Sequence, residues 1–419
     1  MKTHISTLGR AASACWGRAT PWLWAMLIAP TAVMMAPAGA SGISGDTVKI
    51  GILNDQSGTY ADLAGPGSVE AARMAIEEMG GTVAGKKIEL IAGNHQNRAD
   101  IGAGIARGWF DQEGVDVIAD FSNSSVGFAV QALAGERGKV TLIAAASPGF
   151  TGKACTATSA QWVYNSHTNG YGLAKVLTEQ GYKSWFLLTV DYAFGHAFAS
   201  DIRRAVQDGG GTVAGEVRHP LNTADMSSFL LQAQASKASI IALASAGSDM
   251  TTAIKQAGEF GITPGQALAA PAVFLTDIHG MGLQAAQGLQ FVTAFYWNRT
   301  PETRAWSQKF FARHGAMPTM TQAGVYSAVR HYLHAVQAAG TDDGKTVMAR
   351  MREMPVRDIF AANGQLRPDG QMVHDMYLVR VKSPQASKEA WDYYDIVQTI
   401  PGEQIFKPLS DSECPLVKH

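Results

Sequence analysis

Four short stretches carry the polar groups from which a binding site could be built: Ser122-Asn123-Ser124-Ser125, Ser147-Pro148-Gly149, Gly247-Ser248-Asp249 and Thr276-Asp277. Each follows an apolar, strand-like run. Hydroxyls, together with the first backbone amides of a following helix, can hold an anion such as a carboxylate, and Asp249 or Asp277 can face an ammonium group. The plain alternative is an ordinary helix cap, because Ser and Asn are preferred at that position with or without a ligand. Five aromatics, Tyr60, Trp162, Tyr164, Tyr192 and Phe194, lie close to the same strand ends. A single aromatic is more often packing than ligand contact, but five at one edge predict a cleft.

Covalent chemistry finds less support. At Gly149 to Lys153 a phosphate-binding loop is suggested, yet Ser147 stands where its first Gly belongs and Ala154 replaces the required Ser or Thr. Gly102 and Gly104 do not complete a dinucleotide fingerprint, since Arg107 occupies the third Gly position. Neither a Gly-x-Ser-x-Gly elbow nor a His-Glu-x-x-His pair occurs. The His residues lack ligand spacing, so His95, His196 and His279 read as surface or hydrogen-bonding groups; no metal and no cofactor are expected. With 34 Lys plus Arg against 35 Asp plus Glu, the chain lacks the basic excess that phosphate binding needs, and nucleic acid is not an expected partner.

The elements that must position these groups alternate regularly. Val48 to Leu53 is a β-branched run followed by Val69, Ala72, Ile76 and Met79 at helical spacing, closed by Gly80-Gly81. The pattern repeats with strands at 88–92, 115–119 and 140–146 and helices carrying Ile101, Ile105 and Trp109, then Val126, Val130 and Leu133. A second series has strands at 185–190, 213–217, 240–244 and near 272–275, with helices between. Continuous apolar strands separated by helices call for parallel sheets covered on both faces. The expected class is α/β with two Rossmann-like sheets. After Phe291 to Trp297 the chain reads as helical from Pro301 to about Met354 and ends in strands at 376–381 and 393–400. At 419 residues it has room for two or three domains.

The first forty residues read as a secretory signal: Lys2, Arg10 and Arg18, an apolar run from Trp22 to Ala36 broken by Pro30, then Ala38-Gly39-Ala40 as a cleavage site. The run falls short of the roughly 20 apolar residues a spanning helix needs. Cleavage removes three positive charges and takes the formal charge from −1 to about −4. It also removes Cys15, which leaves Cys155 and Cys414 as an even pair in an oxidising compartment. A disulfide between them is predicted.

An exported chain with these turns resembles the branched-chain amino-acid-binding family, the type I periplasmic solute-binding proteins of ABC transporters. The resemblance rests on Gln56-Ser57-Gly58-Thr59-Tyr60 after the first strand, the Ser-rich turn after the third and Ser147 after the fourth. Asp191-Tyr192-Ala193-Phe194-Gly195 after the first strand of the second half completes it. It implies two lobes joined by crossovers near 162–165, 294–298 and 360–364: residues 41–163 plus 297–360, and 164–296 plus 361–419. It implies a hinge that closes on solute and presents the closed form to an inner-membrane permease. By position, Tyr60 lines the pocket, Asn123 and Ser124 receive a carboxylate, and Ala146 and Ser147 hold the same head group. Phe194 stands where the family commonly has Tyr, and Asp277 lies near the acid that pairs with an ammonium. Asn94-His95 replaces the acidic residues often found after the second strand. A monomeric, non-enzymatic protein for a branched or aromatic carboxylate-bearing solute is the expectation; a ligand sensor and an exported α/β enzyme are the competing readings.

Overall fold

Continuous β-branched runs leave no polar face to turn to water, and in the computed structural model, which describes residues 42–263 and 265–418, they become buried parallel strands. The first series gives β1 (Thr47–Asn54), β2 (Thr82–Val83), β3 (Lys86–Asn94), β4 (Val117–Asp120), β5 (Val140–Ile143) and β6 (Ser159–Gln161). Between them run α1 (Gly65–Glu78), α2 (Ala99–Asp111) and α3 (Ser124–Glu136). The sheet order is β2-β3-β1-β4-β5-β6, parallel except that β2 opposes β3. Side chains alternate between its faces. Ile52, Val117 and Leu142 pack in the large core that includes α1, whereas Leu53, Ile118 and Ile143 join Trp109 and Phe110 of α2 and Val126 and Val130 of α3.

The second series starts with a π-helical turn, His167–Tyr171, and continues α4 (Gly172–Glu179), β7 (Ser184–Val190), α5 (Ala193–Asp208), β8 (Thr212–His219) and α6 (Ser227–Ala235). It ends in β9 (Ile240–Ala244), α7 (Gly247–Glu259) and β10 (Ala267–Ala269). These strands form a parallel sheet in the order β10-β9-β7-β8. The last strand was expected at 272–275. It lies earlier, because Pro271 has no N–H for a ladder, and the apolar residues after it lead into α8 (Leu275–Met281). The run at 140–146 also leaves the sheet early, at Ile143.

α9 (Leu283–Ala286) and β11 (Gln290–Thr293) precede the helical segment, which is three helices: α10 (Pro301–His314), α11 (Met320–Ala339) and α12 (Gly344–Glu353). α11 is buried over most of its surface and packs against α1, β4 and β5, so this segment returns to the first sheet. The chain closes with the hairpin β12 (Gln365–Leu366) and β13 (Met372–Val373), then β14 (Met376–Val381), β15 (Tyr394–Ile400) and α13 (Gly402–Ile405). β11, β14 and β15 form an antiparallel sheet beside α4.

Cys155 and Cys414 are disulfide-bonded, 259 residues apart in sequence with Cα atoms at 5.7 Å. Lys153 and Glu413 pair beside the bond at 3.3 Å. The expected signal segment, 1–40, lies outside the described residues. No described helix is long and apolar enough to cross a membrane.

Candidate functional site

The site candidates gather where both sheets present the carboxyl ends of their strands. At the end of β4, Asp120 and Phe121 both adopt left-handed backbone angles, φ 88° and 58°, which turns the chain sharply into α3. This strained pair is held by bonding: Asn54 donates to Asp120 Oδ2 at 2.7 Å and Phe121 N–H to the Leu53 carbonyl at 3.1 Å. Burial pushes the Asp120 carboxyl up to about 6, opposed by the hydrogen bond from Asn54. Asn123 is the N-cap of α3, its Oδ1 accepting from Ser125 N–H at 2.9 Å and Val126 N–H at 3.2 Å. Ser124 follows in the first turn. It is fully buried, and its hydroxyl has no hydrogen-bond partner among the described residues.

The segment after β5 is fixed from β6. Gln161 Nε2 donates to the carbonyls of Ala145 at 2.7 Å and Ser147 at 3.0 Å. The Ala146 carbonyl accepts from Ser166 N–H at 2.8 Å, and both Ala146 and Ser147 are buried.

From the second sheet, Tyr192 stands immediately before α5, with its ring stacked on Phe194 at 5.8 Å between centroids. Phe194 continues to Phe198 at 4.8 Å. In the first turn of α7, Asp249 is occupied by its own fold: its two oxygens accept from Asn222 and Thr223 N–H, each at 3.0 Å. Burial raises its carboxyl to about 6. Asp277 accepts from Phe274 N–H at 2.8 Å and so caps α8. Burial is the main reason its carboxyl is pushed up to about 7. Tyr164, on the segment between β6 and the π-helical turn, is buried and meets Phe274 edge-on at 6.1 Å.

The two edges touch. Tyr60 and Tyr192 share a hydroxyl-to-hydroxyl hydrogen bond of 2.6 Å, and the hydroxyls of Thr59 and Ser248 are bonded to each other. Gly247 sits below with φ 61°; a Cβ there would lie 2.3 Å from the Thr59 carbonyl oxygen, so only Gly permits this approach. Burial first, then the charges of Asp249 and Asp55, hold the Tyr60 hydroxyl well above the usual tyrosine range; burial, and after it the charges of Asp120 and Asp277, does the same to Tyr164. Next to this contact a groove of about 400 Å³ runs between Thr59 and Asp62 on one side and Ser248, Lys255, Thr276 and Asp277 on the other.

The structure thus brings Tyr60, Tyr164, Tyr192, Phe194, Ser248, Asp249 and Asp277 into one region. Asn123, Ser124, Ala146 and Ser147 occupy the strand ends of the first sheet, and α3 touches α5 across the divide. Trp162 stands apart from them. Its indole N–H donates to Ser327 of α11 at 3.0 Å and its ring lies 5.4 Å from His331, inside the core. Two residues were not among those expected at the site, although Asp55 is noticeable in sequence as the Asp that ends the first strand. Ser245, at the end of β9, is buried with a hydroxyl that has no partner among the described residues, and Asp55 collects most of the hydrogen bonds of the turn that carries Tyr60. The Ser after an apolar strand and the Asp-x-x-Gly turn were the available signals.

Two parallel α/β sheets facing each other at the carboxyl ends of their strands, joined by short segments, define a type I two-lobed binding protein. Residues 47–388 match the family model described as periplasmic binding protein, and the chain belongs to that family. It is similar to a periplasmic binding protein from Burkholderia mallei, with 46% identity over 89% of this chain and 100% of the other, TM-score 0.87. A branched chain amino acid ABC transporter periplasmic ligand-binding protein from Burkholderia xenovorans is 42% identical over 88% and 99%, TM-score 0.78. The fold recurs in a solute-binding protein from Rhodopseudomonas palustris in complex with benzoate, at 18% identity over 86% and 99%, TM-score 0.75. Among curated proteins none matches the chain.

Proposed function

We propose that this protein is the exported solute-binding component of an ABC importer, and that its cleft captures a small organic molecule with a carboxylate at one end and an apolar body at the other. The observation that carries the reading is Ser124: a fully buried hydroxyl with no partner among the described residues, in the first turn of the 13-residue helix α3. An unpaired buried hydroxyl costs about 1 to 3 kcal/mol, and the helix N-terminus beside it favours an anion. Ser147 and the backbone at Ala146 complete the head-group side. Tyr60, Tyr164, Tyr192 and Phe194 offer the apolar walls, which suit branched or aromatic bodies. Ser248, Asp249 and Asp277 stand on the facing lobe for an ammonium. The branched chain amino acids of the Burkholderia xenovorans relative's transporter and the benzoate in the Rhodopseudomonas palustris structure fall within this class of solute.

The expected division, 41–163 plus 297–360 against 164–296 plus 361–419, is kept in the proposal except at its last boundary. The β12–β13 hairpin lies against α12 and bridges Gln161 through Gln371, so the third crossing is best placed just after it. A monomer released by cleavage near Ala40, closing about these crossings and docking on an inner-membrane permease, completes the reading. It requires no catalytic step.

The test is a thermal-shift screen of amino acids and aryl carboxylates, in which a solute at 100 times its dissociation constant adds about 2.7 kcal/mol. Calorimetry on the hit follows. Ser124→Ala with Ser147→Ala should weaken it by about 1 to 3 kcal/mol per hydrogen bond to the carboxylate lost. Unchanged affinity would mean that the α3 turn is only a helix start, and release of a chemically altered solute would replace the transport reading with an enzyme.

A further inference from the structure

Asp55 follows β1 directly and is 1% exposed. Its Oδ1 accepts from the N–H groups of Ser57 at 3.3 Å and Gly58 at 2.7 Å; its Oδ2 accepts from Tyr60 N–H at 3.0 Å and Asn97 Nδ2 at 2.5 Å. Its own N–H donates to Ser122 Oγ at 3.2 Å. A Cβ on Gly58 would come within 2.6 Å of the carboxylate, so the turn wraps it as tightly as a backbone can. A second loop braces the first. Gln96 and Asn97 both hold left-handed angles, φ 52° and 57°. Asn94 Oδ1 accepts from Gln56 N–H at 3.3 Å and Gln96 N–H at 2.9 Å, while Asn94 Nδ2 donates to Ser57 Oγ at 3.1 Å. All this bonding serves a turn that sends Thr59 and Tyr60 to the opposite lobe, where they meet Ser248, Gly247 and Tyr192.

We propose that Asp55 is a positioning residue for cleft closure: by gathering the backbone N–H groups of Ser57, Gly58 and Tyr60 and the side-chain amide of Asn97 it presets the turn whose Thr59 and Tyr60 hydroxyls latch the two lobes together. The energetic logic is preorganisation. Four donors gathered on one buried side chain fix the turn before the lobes meet, so the two interlobe hydrogen bonds form without a further cost of ordering. Asn97, whose own N–H donates to His95 Nδ1 at 3.0 Å, brings its side-chain amide to the same carboxylate from the second loop. The proposal rests on the solute-capture reading only in taking the lobes to open and close, and its test needs no solute.

Hydrogen exchange over residues 56–60 and an interlobe distance from paired spin labels are measured on the mature protein. The variants are Asp55→Asn, Thr59→Val with Tyr60→Phe, the combination of all three, and Gly247→Ala. Asp55→Asn should raise exchange in the turn about tenfold, the equivalent of about 1.4 kcal/mol, and shift the distances toward separated lobes. In the Thr59→Val, Tyr60→Phe background it should still loosen the turn but add nothing to the distance shift, because the latch it serves is gone. Unchanged exchange, a loosened turn with unchanged distances, or an additive distance shift would each overturn the role of Asp55. Should Asp55→Asn not fold, Asn97→Leu removes one donor to the same carboxylate and carries the same expectations. Gly247→Ala separates the two readings, since its Cβ meets the Thr59 carbonyl in the closed form. If it moves the distances and Asp55→Asn does not, this proposal fails alone; if neither moves them, hinge closure fails too.

Discussion

Removing the Cys155–Cys414 bond should cost this protein a large, measurable share of its stability. The bond joins the loop before β6 to the C-terminal tail and closes a loop of about 259 residues. In the chain-entropy model a loop of that length restricts the unfolded chain by about 5 to 6 kcal/mol at 25 °C. The native geometry needs no adjustment to host the bond, because the Cα separation of 5.7 Å lies at the commonest value for disulfides. A mature chain of about 380 residues has an unfolding entropy of about 0.8 kcal/mol/K, so the loss corresponds to about 7 °C in Tm. The perturbation is Cys155→Ala with Cys414→Ala, compared with wild type under oxidising conditions by scanning calorimetry. Reduction of the wild type should give the same Tm as the double variant. Cys414 is buried, so part of any loss could come from packing rather than from the bond; Cys414→Ala alone and reduced wild type bracket that part. A shift below about 2 °C would refute the argument and show that the unfolded chain is already compact enough for the cross-link to restrict little.

Asn123→Ala should cost about 1 kcal/mol of stability through the two N–H groups left at the start of α3, read as a lowered denaturation midpoint. Asp277 carries a stability slope. Its folded value of about 7 exceeds that of the unfolded chain, so the native state keeps a proton that the unfolded state has lost, and stability falls as pH rises from about 4 to 7. Asp277→Asn keeps an acceptor for Phe274 N–H without the charge, so its Tm relative to wild type should be higher at pH 8 than at pH 5. Trp162→Phe should lower Tm through the lost bond to Ser327 while leaving solute affinity within about twofold of wild type; a tenfold change in affinity, about 1.4 kcal/mol, would return Trp162 to the cleft.

The fold was readable because its strands are unbroken apolar runs. Ile240 to Ala244 must be covered on both faces, and only helices on either side of a parallel sheet do that. β2 and β6 were not readable, since strands of two and three residues exist only through their pairing with β3 and β5 and carry no periodicity of their own. Trp162 shows the limit at the site. It follows a strand end, as Tyr164 does, but its side chain enters the core under α11, and neither spacing nor residue type distinguishes the two positions. The latch was out of reach for a simpler reason: Thr59 and Ser248 are 189 residues apart, and two hydroxyls of ordinary polar turns carry no mark of each other.

What remains for a solute follows from counting which acceptors and donors the fold itself consumes. Asn123 Oδ1 serves two N–H groups of α3, Asp249 uses both oxygens on the loop after β8, and Asp277 Oδ2 caps α8. Those bonds would exist in a protein that bound nothing. The hydroxyls of Ser124 and Ser245 have no such duty: each is buried without a partner among the described residues, one at the carboxyl end of each sheet. A carboxylate needs donors, and these two can donate. On the proposed reading Asp277 is the discriminator between solute classes, since burial and the charge of Asp62 favour its protonated form, opposed by the hydrogen bond from Phe274 N–H. With its carboxyl near 7, a solute bearing an ammonium must first remove that proton at acid pH, so its affinity should climb as pH rises from 5 to 7 and level off above. An aryl carboxylate gains nothing from an ionised Asp277 and should weaken over the same range. Calorimetry of one solute of each class at pH 5.5 and 8 reads the sign directly, and an amino acid whose affinity is flat across that interval would show that its ammonium pairs elsewhere.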